Sequence, residues 1–320
     1  MSRQIIRVTG EDRLDFLQDL VTNDVTRAPC WAALLTPQGK YLADFLILSD
    51  GDALLLDVDA GLAEDLLRRL AMYKLRSKVA LEAVAMPIAR GTGPAPDGAI
   101  ADPRHDALGW RLYGQRGDDG SDWDAIRVAH CIPESLIELI PNETFILEAG
   151  FQRLHGVDFR KGCYVGQEVT ARMKHKTELR KGLITLRVEG EAPVGTAITR
   201  EGREVGTLFT QSGGRGIAHV RFDRLGAGME AGPARIVAEW ASGPAWPPTR
   251  SHRCARSSIS TWMPSMPRSS SATIRNCAAS RSLWAAVRCA GWWRRPATRR
   301  GSSGSARPCP RSRRAGCAPI

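Results

Sequence analysis

Hydrophobic periodicity ends close to Trp246, and this boundary limits how much of the 320-residue chain can form a packed core. Before the boundary, apolar residues recur at the spacings of strands and helices. After it, residues 247–320 contain 15 Arg but no Lys, Asp or Glu, with five Cys, four Trp and no periodic pattern. We interpret this tail as disordered and frameshifted; the alternative is a basic tail that binds nucleic acid.

The charge of the chain divides at the same place. The formal net charge is +11, and removing the 15 Arg of residues 247–320 leaves −4 for residues 1–246. A mildly acidic body gives no reason to expect a nucleic-acid partner. The chain has no run of about 18 apolar residues and no apolar leader at its start, so we expect a cytoplasmic protein without a membrane partner.

Cysteine and histidine spacing argues against a resident metal site. The cysteines of the body are Cys30, Cys131 and Cys163, and no pair has the C-x-x-C spacing of zinc or cluster ligands. An odd number fits reduced intracellular thiols better than a disulfide framework. The six His show no H-E-x-x-H or comparable spacing, and none is assigned a role.

The pattern of residues 1–90 predicts a first α+β unit. Three apolar runs separated by turn-forming residues predict a β-meander, and apolar residues at helical spacing predict two helices. The predicted strands are 5–8, 31–35, 41–48, 53–58 and 79–83, and the predicted helices are 11–21 and 61–75.

Two further units follow. Residues 91–180 begin with a Gly/Pro-rich connector at 91–98 and contain a predicted strand at 109–113 and a predicted helix at 121–129. Residues 181–246 contain short apolar runs separated by turn residues, which predicts a small β-barrel. Gly202 is expected in a hairpin turn, and the Gly-rich stretch 213–216 lacks the Lys-Ser/Thr of a phosphate-binding loop.

Cys163 has sequence neighbours that favour a reactive thiol. Cys163 lies between Gly162 and Gly166, which allow a tight turn, and close in sequence to Lys161 and Arg172. Neighbouring cations favour thiolate over thiol and so predict a lowered pKa and a reactive group. The alternative is a small buried apolar side chain, the usual role of an isolated cysteine.

Residues 158–172, which contain this cysteine, resemble the signature of the YgfZ/IBA57 family of folate-binding iron-sulfur cluster assembly proteins, which are related to the glycine cleavage T-protein. The similarity extends through residues 123–127, 132–134, 147–151 and 204–206, and it covers about residues 3–246. It implies an α+β, T-protein-like fold of three domains with a small C-terminal β-barrel. It also implies a tetrahydrofolate-binding cavity among the three domains, with the signature cysteine on a loop at that cavity.

The resemblance transfers roles to individual residues. Cys163 matches the signature thiol, and Asn23 and Asp24 match the loop that follows the first helix in folate-binding relatives. The residues expected to contact the cofactor around the thiol are Lys161, Gly162, Tyr164, Gly166, Gln167, Glu168 and Arg172.

The same resemblance makes two carboxylates, Glu148 and Asp44, candidate folate contacts. Glu148 resembles the T-protein glutamate that holds the pterin, because a carboxylate accepts two parallel hydrogen bonds from the pterin 2-amino and N3 groups. The alternative for Glu148 is an exposed glutamate at a helix start. T-protein carries an Asp-Asp pair, whereas this chain has Ala43 and Asp44, so Asp44 remains as a candidate folate contact.

The incomplete pair bears on function, because aminomethyl transfer depends on a placed acid or base. The resemblance therefore implies an accessory protein that uses tetrahydrofolate and Cys163 to support iron-sulfur cluster assembly or repair, mainly for [4Fe-4S] enzymes. Its expected partners are client enzymes and other assembly factors. The alternative is a folate-dependent aminomethyltransferase of the T-protein class, so whether the chain is itself an enzyme stays open.

Overall fold

A five-stranded antiparallel sheet with two helices forms the first part of the chain. The computed structural model describes residues 2–176 and 178–237, so the tail predicted to be disordered lies outside the described residues. The elements in order are β1 (Arg3–Thr9), α1 (Arg13–Gln18), β2 (Cys30–Leu35), β3 (Tyr41–Asp50), β4 (Ala53–Asp59), α2 (Ala60–Lys74) and β5 (Ala80–Val84). The strand order is β2-β3-β4-β1-β5, with the predicted meander at one side.

The predicted elements of this part occur close to their expected bounds, except that α1 is shorter than the predicted helix 11–21. Two local contacts explain the difference. Asp12, before the helix, accepts a hydrogen bond from the Lys78 backbone N–H. After the helix, Val21 forms an antiparallel bridge with Leu34 of β2, so the chain turns into the sheet after about one and a half turns of helix.

The main hydrophobic core lies on this sheet. All residues of β2 are buried, because the sheet is covered on both faces. A long irregular segment, residues 146–164, packs on it together with α1 and α2, and Phe151 stacks on Trp31 with 4.0 Å between ring centroids. This segment leads directly into the signature residues.

A small four-stranded sheet and two helices follow. Their elements are β6 (Ile88–Gly91), β7 (Ile100–Ala101), β8 (Trp110–Tyr113), β9 (Gly117–Asp118), α3 (Trp123–His130) and α4 (Gln167–Lys176), and the strand order is β7-β8-β6-β9. In this part, strands β6, β7 and β9 and helix α4 occur where no element is predicted. β6 has only four residues, and α4 has few apolar residues with which to show a helical period.

The predicted C-terminal barrel is confirmed and it is closed. Its strands are β10 (Lys181–Glu189), β11 (Thr196–Arg200), β12 (Arg203–Ser212), β13 (Arg215–Arg221), β14 (Met229–Ala231) and β15 (Ala234–Val237), and β15 pairs with β10 to complete the ring. Glu201 and Gly202 have φ of 51° and 74°, which is the geometry of a two-residue hairpin turn. The Gly213–Gly214 pair forms the next hairpin turn.

No helix in residues 2–176 and 178–237 combines the length and the apolar character needed to cross a membrane.

Candidate functional site

Residues 161–168 lie against the loop that follows α1, and Lys161 makes the connection. Its Nζ donates hydrogen bonds to the carbonyl oxygens of Gln18, at 2.6 Å, and Val21, at 2.5 Å. Gln18 is the last residue of α1 and Val21 lies three residues beyond it, so the lysine satisfies one carbonyl at the helix end and one in the loop that follows. Burial lowers the pKa of Lys161 to about 8. The start of the signature segment is thereby fixed to the first sheet unit.

Asn23 and Asp24 belong to the same junction. The Asn23 amide nitrogen donates to the carbonyl oxygens of Trp31 and His155, both at 2.7 Å, and so connects β2 to the segment that precedes the signature. The Asp24 carboxylate accepts hydrogen bonds from the backbone and hydroxyl of Thr26, which lower its pKa. Both residues stabilise the loop on which Lys161 docks.

Gly166 allows the turn in the signature segment to lie close to the turn between β2 and β3. Its φ is +83°, and a Cβ there would lie 2.6 Å from the Thr36 carbonyl oxygen and 3.1 Å from the Cα of Gly39. The signature turn and the turn between β2 and β3 therefore touch through backbone atoms, which only glycine permits. At Gly162, by contrast, a Cβ would meet nothing within 4 Å.

The thiol of Cys163 is exposed between these two anchored positions. Tyr164, the next residue, is buried in the main core, and burial raises its pKa to about 12. Cys30 is buried and Cys131 is partly buried, and burial raises their pKa values to about 12 and about 11, which keeps both as unreactive thiols. Among the described residues, Cys163 is the one exposed thiol, held on a loop whose flanks are fixed.

Three cations near Cys163 in sequence have hydrogen-bond or ion-pair partners of their own. Lys161 bonds to carbonyl groups, as described above. Arg172 pairs with Glu168 at 2.7 Å on the exposed face of α4, and Gln167 lies at the start of the same helix. Lys174 donates to the Gln152 side chain at 2.7 Å. The structure therefore provides an accessible thiol on a fixed loop, with three of the neighbouring cations bound to other groups.

Asp44 lies buried in the core. Its carboxylate accepts hydrogen bonds from Trp31 Nε1 at 2.9 Å, the Tyr41 hydroxyl at 2.6 Å and the Ser135 hydroxyl at 2.7 Å. The side chain is buried, with the residue 4% exposed. A carboxylate with three protein donors has little capacity left for a ligand.

Glu148 is buried beside the barrel, and the alternative of an exposed helix-start glutamate is wrong. The residue lies in the irregular segment 146–164, with its Oε2 3.3 Å from His219 Nε2 on β13 and 3.5 Å from Lys181 Nζ on β10. Its backbone carbonyl accepts a hydrogen bond from Leu183. Glu148 therefore connects the irregular segment to the barrel.

The structure also contains a cavity of about 520 Å³. It is bordered by the end of β4, the second sheet, α3 and the turn at 134–137. The charged residues that line it are Asp59, Arg90, Asp102, Arg104, Arg111, Asp122, Asp124, Arg127 and Glu134. Ser135 also lines it and links it to Asp44. None of the twelve residues predicted for the site is among the described residues that line this cavity.

Comparison with known proteins identifies the family. Residues 180–248 match the CAF17 C-terminal beta-barrel domain. The chain is 31% identical over 298 residues to the iron-sulfur cluster assembly factor IBA57, mitochondrial, of Homo sapiens, which covers 77% of this chain and 84% of the human protein. This chain belongs to the IBA57 family. The Mus musculus protein of the same name is 29% identical over 302 residues, with 77% and 84% of the two chains covered.

The fold of this IBA57-family chain is shared with T-protein. A crystal structure of glycine cleavage system aminomethyltransferase T from Bartonella henselae matches 69% of this chain and 76% of its own, with a TM-score of 0.54 and 11% identity. The predicted α+β, T-protein-like fold is confirmed. At this identity the likeness concerns the fold and not the activity. The human and mouse relatives are named mitochondrial, whereas the cytoplasmic location expected for this chain stays a prediction.

The structure of this IBA57-family chain also contains residues that sequence reasoning missed. His219 was assigned no role, yet it contacts Glu148; only the register of β13 brings the two together. The arginines and Glu134 of the cavity come from distant segments. Arg127 and Glu134 fall within the stretches 123–127 and 132–134 of the family resemblance, but that resemblance assigns them no role.

Proposed function

We propose that this chain is an accessory protein for the assembly or repair of iron-sulfur clusters, mainly in [4Fe-4S] enzymes, and that it uses the Cys163 thiol and bound tetrahydrofolate. The observation that carries the proposal is the exposed Cys163 on a loop fixed by Lys161 and Gly166. Membership of the IBA57 family supports the role in cluster assembly. Client enzymes and other assembly factors are the proposed partners.

The loop suits a thiol that acts on another protein. Thiolates bind the iron atoms of iron-sulfur clusters, and an exposed thiol is accessible to a cluster carried by a partner. Fixed flanks reduce the conformational entropy that such a contact would otherwise cost. The chain therefore has a preorganised ligand for iron without a metal-binding set of its own among the described residues.

A complementation assay tests the role of the thiol. We expect Cys163→Ala to abolish the ability of the chain to restore cluster-enzyme activity in a strain that lacks it. Cys30→Ala is the matched control, because its thiol is buried and forms no part of the exposed loop. Full restoration by Cys163→Ala would remove the thiol from the proposal.

The cavity supports the folate part of the proposal. Its volume, about 520 Å³, is within the range of small-molecule sites, and buried polar groups line it. Among the groups that line it, Glu134 is a buried carboxylate. Tetrahydrofolate would supply a one-carbon carrier when bound. Calorimetric titration of the chain with tetrahydrofolate tests this part, and absence of a binding isotherm would contradict it.

The environment of Asp44 argues against the aminomethyltransferase alternative. An acid or base that assists transfer must reach the substrate, but this carboxylate is occupied by Trp31, Tyr41 and Ser135. We expect no ammonia release when the chain is incubated with an aminomethylated lipoyl carrier and tetrahydrofolate. Release at a rate typical of enzymes would favour the alternative.

A further inference from the structure

Exposed apolar side chains are concentrated at the start of α1 and the end of α2. Among the described residues, the large apolar side chains that face solvent are Leu14, Met72, Tyr73, Leu75, Leu136 and Val194. Leu136 lines the cavity, and Val194 lies between β10 and β11 of the barrel. The remaining four lie on α1 and at the end of α2, and we call them the apolar patch: Leu14, Met72, Tyr73 and Leu75.

Leu75 is the most exposed residue of the patch, at 89%. It follows the last residue of α2, and its φ is 40°, a left-handed value that a leucine adopts only at a cost in conformational energy. Because its side chain faces solvent, packing within the chain does not repay this cost. The turn is nevertheless ordered, since the Ser77 N–H donates to the Lys74 carbonyl oxygen at 2.7 Å. The chain therefore presents an apolar side chain to solvent on a fixed turn.

The turn after α2 is attached to the turn before α1. The Lys78 N–H donates to the Asp12 carboxylate and its Nζ donates to Glu11, both at 2.7 Å. A Cβ at Gly10 would overlap the Lys78 carbonyl oxygen, so the two backbones touch at this point. Leu14 lies in the first turn of α1, two residues after Asp12. Both parts of the patch thus belong to the same junction.

Charges of opposite sign lie on the two sides of this junction. Residues 71–78 have three cations and no Asp or Glu, whereas residues 11–19 have four carboxylates and one Arg. Lys78 and Glu11 pair with each other. Arg76 and Asp15 are both exposed, and neither side chain has an ion-pair partner in the part of the chain that the structure describes. The patch therefore has a basic end and an acidic end, each with an unpaired charge.

The two ends determine which kind of partner fits the patch. An acidic protein surface or an anionic membrane is attracted by Arg76 and repelled by Asp15, and a basic surface experiences the reverse. A second copy of the chain, related by a two-fold rotation, places a basic end opposite an acidic end twice and the apolar side chains between them. A second copy thus provides a counterpart for both charges.

We propose that the apolar patch is a self-association surface, on which two copies of the chain pair through Leu75 and Met72, with Arg76 of each copy facing the acidic start of α1 in the other. Four apolar side chains are few beside the roughly 20–30 residues that each partner contributes to a stable interface. We therefore expect a weak dimer, with a dissociation constant of about 10–500 µM. The inference goes beyond the proposed function, because neither Cys163 nor the cavity takes part in it.

Sedimentation velocity of the full chain at total concentrations from about 5 to 500 µM tests the association. A reducing buffer excludes dimers linked by a disulfide through the exposed Cys163. We expect the weight-average sedimentation coefficient to rise with concentration, and the dissociation constant to rise with added salt, because exposed charges take part. A monomer at every concentration would overturn the proposal.

Leu75→Ser tests the apolar contact. Val194→Ser is the matched control, because Val194 is 60% exposed and lies outside the patch. We expect Leu75→Ser to weaken the dimer at least about tenfold and Val194→Ser to associate like the wild type. Thermal unfolding of both variants should stay close to that of the wild type, because both side chains face solvent. Equal association of the two variants would contradict the role of the patch.

Charge reversal tests whether the partner is a second copy. Arg76→Glu and Asp15→Lys each place like charges opposite one another, so each should weaken the dimer at least about tenfold. Together the two reversals restore opposite charges across a two-fold interface, so the double variant should associate within about threefold of the wild type. A double variant that is no tighter than either single variant would overturn the proposed pairing, as would single reversals without effect.

Discussion

At the scale of one residue, Asp44 matches one carboxylate of the T-protein Asp-Asp pair in sequence, but its side chain is buried in the core. Its carboxylate is a hydrogen-bond acceptor for three side chains that come from β2, β3 and the turn at 134–137. Each donor is itself buried or nearly so, because the residues belong to the core. The aspartate therefore orients the polar groups of the core, and its loss would leave several donors without an acceptor.

Asp44→Asn should accordingly be strongly destabilising. An asparagine places an N–H₂ donor against at least one of the existing donors, so we expect the free energy of unfolding to fall by about 2–4 kcal/mol. Urea denaturation measures this change. Asp50→Asn is the control on the same strand, because Asp50 is exposed and should give a change below about 1 kcal/mol. Equal effects of the two substitutions would contradict the structural role.

Lys161 should make stability depend on pH. Its pKa is about 8 in the folded chain and 10.5 in its ordinary state, so between these values the unfolded chain binds more protons. The free energy of unfolding should therefore increase, through Lys161, as the pH rises from about 8 to 10.5. Urea denaturation of wild type and Lys161→Met at pH 7, 8, 9 and 10 measures it. A difference between the two chains that stays constant with pH would exclude this linkage.

At the scale of elements, the sequence predicts those whose hydrophobic period is strong. Helix α2 has apolar residues at helical spacing, and the strands of the meander are apolar runs bounded by turn residues, so both are predicted nearly to the residue. Helix α4 is largely polar, and its position depends on the contact between Gly166 and the turn at 36–40. Such a tertiary contact leaves no periodic signal in the sequence.

The contact at Gly166 can be tested by adding a single methyl group. Gly166→Ala would bring a Cβ to 2.6 Å from the Thr36 carbonyl oxygen at a backbone φ of +83°, and neither backbone can move freely. We expect a loss of about 2 kcal/mol or more, measured by chemical denaturation. Gly162→Ala is the matched control in the same signature, because a Cβ there has open space, and it should be nearly neutral. Comparable losses at both positions would show that the close approach is not what requires glycine.

At the scale of the whole molecule, a sequence identifies a contiguous motif but does not identify a cluster whose residues come from distant segments. The signature around Cys163 is contiguous, so the sequence alone identifies it. Glu134 and Arg127 are separated in sequence from Arg3, Asp57 and Asp102, and only the packing of α3 and the two sheets brings these charges together. The sequence shows the type of each charge, but tertiary structure decides its partner, so the residues that line this cavity could not be predicted.

The side chain of Thr210 connects α3 and the cavity wall to the barrel. Thr210 on β12 is 6% exposed, and its hydroxyl donates to Glu138 at 2.6 Å and accepts from Arg127 of α3, also at 2.6 Å. Arg127 and Glu138 flank the turn that carries Glu134. A single hydroxyl thus joins the barrel, α3 and the cavity wall through charge-assisted hydrogen bonds.

Thr210→Val removes this hydroxyl while keeping the shape of the side chain. We expect the free energy of unfolding to fall by about 1–3 kcal/mol, because two charged groups lose a buried partner. Hydrogen exchange of the backbone amides of β12 and α3 should increase together, since both elements depend on the same junction. Thr199→Val on β11 is the control, because Thr199 is exposed and should change neither quantity. If exchange increased in β12 alone, the hydroxyl would stabilise only its own strand, and the barrel would not be coupled to the cavity through Thr210.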